Sequence, residues 1–149
     1  MAGTYTNLLY HVVFSTKSRE PMIYGFKDRL YTYMGGIVRG KEGKLLAIGG
    51  TADHVHLAVK LKPTEAVSKT VGEIKGNSSK WINENGFLEG YFSWQVGFGA
   101  FSVSESAHEA VVAYIDSQES HHRKQSFKDE FIALLEKHNI EYDPARIWD

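Results

Sequence analysis

Three patterns in the chain predict an α+β fold built on an antiparallel sheet. Residues 53–61 alternate between two faces as a strand does. Residues 26–37 and 67–81 carry apolar side chains at helical spacing, and the elements follow in the order strand, helix, strand, strand, helix, strand. That order is the ferredoxin-like one shared by RRM-like domains, with the helices on one face of the sheet and the other face free. No internal repeat, low-complexity run or linker interrupts the 149 residues, so 1–149 reads as a single domain.

The elements are justified in turn. Tyr5 to Ser15 reads as a first strand with Leu8, Tyr10, Val12 and Phe14 on one face, closed by a polar turn over Thr16 to Glu20 and by Pro21. Phe26, Leu30, Tyr33, Met34 and Ile37 give a helix over about 25–39. Lys44 to Gly50 is a short strand, joined to the next by a hairpin connection over Gly49 to Asp53. Pro63-Thr64 opens a second helix with Thr64 as its cap and Val67, Val71, Ile74, Ser78 and Trp81 along one stripe; Gly86 ends it. Tyr91 to Val96 reads as a fourth strand and Gly97 to Phe101 as a flexible passage. Ser106 and Glu109 form a capping box that starts a third helix reaching about Arg123. Ser126 caps a fourth helix, with Phe127, Phe131, Leu134 and Leu135 inward.

Composition narrows the function. There is no cysteine, which excludes disulfides, thiolate metal sites and a cysteine nucleophile. The first residues lack the pattern of a signal peptide, and no apolar run approaches the length of about 20 residues that spans a bilayer, so a cytoplasmic location without membrane contact is expected. Of 18 acidic and 17 basic side chains, six acidic and two basic ones lie at or after Asp129. The body is therefore mildly basic and the tail acidic, a balance that neither demands nor forbids a polyanion.

The strongest signal is Asp53-His54-Val55-His56-Leu57-Ala58-Val59-Lys60-Leu61. Val55, Leu57, Val59 and Leu61 make one apolar face, while His54 and His56 stand together on the other, where two imidazoles can converge on one cation. A third ligand is offered by the third helix, where Tyr114 and Gln118 lie four residues apart and share a face. Read from the residues alone, Tyr114 is more simply a core aromatic in line with Val111. His121 and His122 read as a solvated helix end, and nothing beside His11 places it in the site.

Asp53 to Leu57 resembles the His-hydrophobe-His motif of HUH nucleases. Tyr114-Ile115-Asp116-Ser117-Gln118-Glu119-Ser120-His121-His122 resembles the catalytic helix of the small single-tyrosine transposases (the IS200-like family) of insertion sequences that move as single-stranded DNA. Val13 to Pro21, Ile74 to Trp81 and Trp94 to Ser104 are similar to further blocks of that family, so the resemblance covers nearly the whole chain. It implies an HUH nuclease fold in which His54, His56 and Gln118 bind Mg²⁺ or Mn²⁺ and Tyr114 attacks DNA, leaving a 5′-phosphotyrosine. Glutamine at 118, where relatives in the wider superfamily carry a second tyrosine, points to the one-tyrosine branch.

The partners implied are single-stranded DNA with hairpin ends and a second copy of the chain in a homodimer. Lys17, Arg19, Lys69, Lys75 and Lys80 are candidate phosphate contacts. Gly97 and Gly99 are expected to let the tyrosine helix dock on its own sheet or on the partner's. Two other readings stay open: a domesticated relative that processes repetitive palindromes, and a non-catalytic single-stranded nucleic-acid binding module.

Overall fold

Alternation along the histidine strand decides the architecture. The computed structural model describes residues 3–148; Met1, Ala2 and Asp149, the last of the acidic residues counted above, lie outside the described residues. Its elements are β1 (Leu8–Ser15), α1 (Lys27–Gly40), β2 (Lys44–Thr51), β3 (His54–Leu61), α2 (Val67–Glu84), β4 (Gly99–Val103), α3 (His108–Asp116), α4 (Gln118–His121) and α5 (Phe127–Lys137). The strands form one antiparallel sheet in the order β2-β3-β1-β4.

The odd-numbered residues of β3 behave as their alternation requires. Val55, Leu57, Val59 and Leu61 pack with Val12 and Phe14 of β1 against Leu30, Met34 and Val38 of α1 and Val71, Ile74 and Ile82 of α2. The opposite face is not open. Leu9, Ala47 and Ala58 pack on Ile115 of α3, and Val13 and Phe101 on Phe127, Phe131, Leu134 and Leu135 of α5. Both faces of β1 and β3 are therefore buried, and helices cover both sides of the sheet. The apolar content of α3 and α5 explains this: each needs a surface, and the second sheet face is the one left.

Other local expectations shift. The fourth strand is Gly99–Val103 rather than Tyr91 to Val96, which is irregular chain apart from an isolated bridge between Thr16 and Trp94. Phe92 and Trp94 are buried there as core side chains. The β2–β3 hairpin is a tight turn at Ala52 and Asp53, with Gly49 and Gly50 inside β2. Helix α2 starts at Val67 with no side-chain cap from Thr64, and α3 at His108 after a 3-10 turn over Glu105–Ala107, so Ser106 forms no capping box. The long third helix breaks at Ser117 into α3 and α4. Ser126 does cap α5, its hydroxyl accepting from the Asp129 amide at 3.2 Å. Among the described residues no helix is long and apolar enough to cross a membrane.

Candidate active site

The expected residues meet, but inside the protein. His54 and His56 project from β3 under α3, α4 and α5 and are both 0% exposed, so they are not the outward pair the alternation alone suggested. Asp53 orients His54: the His54 Nδ1–H donates to Asp53 Oδ1 at 2.7 Å, a carboxylate behind an imidazole that selects the tautomer. Across the site, His54 Nε2 lies 2.9 Å from Gln118 Oε1. The Gln118 amide orientation follows from its other end, where Nε2 donates to Glu130 Oε2 at 3.0 Å. With Asp53 taking the Nδ1 proton, His54 Nε2 and the Gln118 oxygen present two lone pairs to one point. A cation suits that arrangement.

Glu130, on α5, organises the centre and was not anticipated. Its Oε1 accepts from His56 Nε2 at 2.9 Å and from His122 Nε2 at 2.8 Å. Its Oε2 accepts from Gln118 and from the hydroxyl of Tyr114. Four donors occupy both carboxylate oxygens, which is the full acceptor capacity of an ionised glutamate. Burial alone would raise the Glu130 carboxyl; the bonds from His122, His56 and Tyr114 outweigh it and hold the group far below the usual carboxylate range. Burial, and then Glu130 itself, push the Tyr114 phenol above its ordinary value. His122 feels burial in one direction and Glu130 in the other, with a net rise.

His56 is held neutral. Burial lowers it to about 4 despite Glu130. Its Nδ1 faces His11 Nε2 at 2.8 Å, and His11, lowered by burial and by His56 to about 3, is neutral as well. A relay of imidazoles thus runs from the sheet interior to the carboxylate. His54, His56, His122 and Glu130 each offer a ligand atom, and these atoms lie within 4.8 Å of one another. Imidazole nitrogens with a carboxylate and an amide oxygen fit a divalent cation.

Two backbone features bring the tyrosine there. At Gly49 of β2 a Cβ would stand 2.2 Å from the Ile115 carbonyl oxygen, so glycine lets α3 lie directly on the sheet. At the break near Ser117 the chain still turns helically, the Ser117 amide donating to the Ala113 carbonyl at 3.1 Å, so Tyr114 and Gln118 keep a common face.

The candidate DNA contacts are dispersed. Lys17 and Arg19 follow Ser15, which pairs with His54, and so stand at the histidine end of the sheet; the Arg19 guanidinium lies 5.1 Å from the centre of the Trp148 ring. Lys69, Lys75 and Lys80 ride on α2, across the sheet from the histidines. Lys75 is committed locally, donating to the carbonyls of Gln95 at 2.7 Å and Gly97 at 2.5 Å. Of the residues sequence reasoning missed, Glu130 had a signal. It lies three residues after Phe127 and four before Leu134, on the inward stripe of α5, where a carboxylate requires partners.

Residues 4–118 match the family described as Transposase IS200 like. The transposase for insertion sequence element IS200 of Salmonella typhimurium is 32% identical over 121 residues, covering 70% of this chain and 78% of that protein. The ISDra2 transposase TnpA of Deinococcus radiodurans is 26% identical over 124 residues, covering 78% of this chain and 87% of its own. In fold, the chain is similar to a REP-associated tyrosine transposase solved bound to a REP hairpin, with a TM-score of 0.62 at 15% identity over 82% of this chain and 73% of the other.

Proposed function

Because the chain belongs to the IS200-like transposase family, we propose that it cleaves and rejoins single-stranded DNA through a 5′-phosphotyrosine on Tyr114, with Mg²⁺ or Mn²⁺ as cofactor. The observation that carries this reading is the convergence of the Tyr114 hydroxyl, His56 and Gln118 on one buried carboxylate, with His54 on Gln118. His54, His56 and Gln118 would hold the cation, with His122 and Glu130 within reach of the same point. When bound, it supplies a Lewis acid that polarises the scissile phosphate and offsets its developing charge.

The remaining work falls to the chain. A neutral phenol is a weak nucleophile, and Tyr114 is held neutral in this site. Glu130 holds the phenol in place through its hydrogen bond, and as the Tyr114 Oη bonds to phosphorus the phenolic proton is lost to solvent, the anionic carboxylate steadying its departure. The P–O3′ bond breaks, and the departing 3′-oxygen takes a proton from solvent to become a hydroxyl. Rejoining is the reverse, a 3′-hydroxyl attacking the phosphotyrosine, so the phosphodiester energy is kept and no ATP is consumed. With glutamine at 118 there is one tyrosine on this face, and because the bond energy is kept in the phosphotyrosine, strand transfer rather than hydrolysis is the outcome proposed.

The substrate proposed is a single strand with hairpin ends, by extension from the hairpin-bound relative of the same fold, and the working unit a homodimer. Lys17 and Arg19, at the histidine end, are the nearer candidates for the strand; Lys69 and Lys80 would serve more distant phosphates, while Lys75 is held by the Gln95 and Gly97 carbonyls. The test is a covalent adduct. Wild-type protein mixed with single-stranded DNA from the flanks of its own gene and Mn²⁺ is expected to give an SDS-resistant species. Tyr114→Phe, which removes only the hydroxyl, is expected to give none while still binding DNA. An adduct in that variant, or undiminished cutting in EDTA, overturns the reading.

A further inference from the structure

Tyr114 also forms part of the wall of a half-open pocket of about 530 Å³ between β4, α3 and α5, a size within the range of about 300–1,000 Å³ typical of small-ligand sites. Ala107 and Ala110 on the α3 side and Ala133 on α5 line it with small side chains that leave room for a ring. Lys137, His121 and His138 bring nitrogen groups to the same walls, and Glu130 reaches it beside Tyr114. It is neither a purely apolar groove nor a simple polar channel.

Two independent observations point to a ligand. The first is His121, whose Nε2 is closed off from solvent without a hydrogen-bond partner among the described residues and stands 3.5 Å from Glu130 Oε2. A buried polar atom left unpaired is costly and invites an acceptor. The second is His138. Its Nδ1–H donates to the Leu134 carbonyl at 2.8 Å and its ring stacks on Phe101, 4.3 Å between centres and 16° from parallel. An imidazole pinned in this way is a ready platform for a base, because stacking needs a flat face already held in place.

We propose that this cavity is a nucleotide subsite. It seats the nucleotide on the 3′ side of the cut, the one whose 5′-phosphate becomes joined to Tyr114, with the base on His138 and the sugar-phosphate toward His121 and Lys137. The side of the cut follows from the geometry of displacement. The 3′-oxygen leaves opposite Tyr114 Oη, whereas the phosphate that stays on the tyrosine keeps its own nucleotide close to the ring that lines the cavity. A base can enter the pocket only when unstacked, so the subsite selects a single strand. The inference rests on Tyr114 being the nucleophile.

The test couples a filled cavity to a missing base. The cut site is first mapped from the wild-type adduct on flanking single-stranded DNA, and the nucleotide 3′ of the cut is then replaced by an abasic one. Wild-type protein is expected to lose about tenfold in kcat/KM on the abasic strand, the scale of one stacked base. Ala133→Phe, on the exposed side of α5 and so tolerated by the fold, is expected to lose about tenfold on the intact strand but nothing further on the abasic one, with Mn²⁺ affinity by calorimetry unchanged. His138→Ala should show the same loss of sensitivity to the abasic position. If wild-type protein forms the adduct but both losses multiply independently, or neither occurs, the subsite is wrong and the transposase reading stands. If no adduct forms with Tyr114, both fall.

Discussion

Glu130 illustrates how much one buried charge can constrain. It is 1% exposed and holds four donors from three elements. Glu130→Gln replaces one acceptor oxygen by a donor that must face donors already in place. A loss of about 3 kcal/mol in chemical denaturation is expected, as for other buried charges separated from their partners; a loss below about 0.5 kcal/mol contradicts the network. The histidines respond to pH. His11 and His56 are depressed to about 3 and about 4, against 6.5 ordinarily. The unfolded chain therefore binds protons below about pH 6.5 that the folded chain refuses. Their stabilisation is complete above that value and falls as the pH drops, by about 2 kcal/mol each at pH 5. Glu130, held low, loses its contribution in the same direction at still lower pH, while His122, raised, opposes it. Melts of EDTA-treated protein should show Tm falling between about pH 7.5 and 5, less steeply in His11→Gln. An unchanged Tm refutes the neutral pair. Because His54 and His56 are both buried, alanine at either position is also expected to cost stability and not activity alone.

At the level of elements, the structure turns on how α3 and α5 reach the sheet. Gly49 sits under the Ile115 carbonyl with no room for a methyl group, whereas Gly76 of α2 has open space. Gly49→Ala should push α3 outward, cutting DNA cleavage at least tenfold and costing about 2 kcal/mol. Gly76→Ala should be neutral or mildly stabilising. Equal behaviour of the two variants would show that close docking of α3 is unimportant. The same spatial logic explains the misplaced fourth strand. Tyr91 to Val96 has a strand-like pattern, but its buried aromatics plug the α2 layer, with the Trp94 ring N–H donating to Ser78 Oγ at 2.9 Å. The poorer strand sequence at 99–103 pairs with β1, and its Gly99 passes Phe131 where a Cβ would lie 2.8 Å from that ring. A strand selected by its neighbours carries little signal of its own.

At the scale of the whole molecule, the arrangement turns on which sheet the Tyr114 helix packs against. In this chain α3 lies on its own sheet. Gly99 is held in β4 and Gly97, with φ +85°, precedes that strand, so neither glycine lies between sheet and helix. A segment that releases α3 would instead be Ser104 to Ala107. The homodimer proposed above is tested with mixed dimers of a His54→Ala, His56→Ala chain and a Tyr114→Phe chain. If α3 exchanges between subunits, one site regains both histidines and the tyrosine, and the adduct forms on the histidine-less chain. Heterodimers that remain inactive place the tyrosine on its own sheet.

What the sequence determined by itself is local and periodic. The two-residue alternation put His54 and His56 on one side of a strand whose other side is core, and the four-residue spacing put Tyr114 beside Gln118. Those relations follow from strand and helix geometry and survive any packing. The tertiary structure decided whether that side is open or closed, and which distant groups enter it. The apolar stripe of α5 needed a surface, and covering the second sheet face with it carried Glu130 into the histidine cluster across 74 positions from His56. Burial and charge pairing are properties of the assembled layers, so the closed site that holds His11 and His56 neutral beside an anionic carboxylate was written in no single segment of the chain.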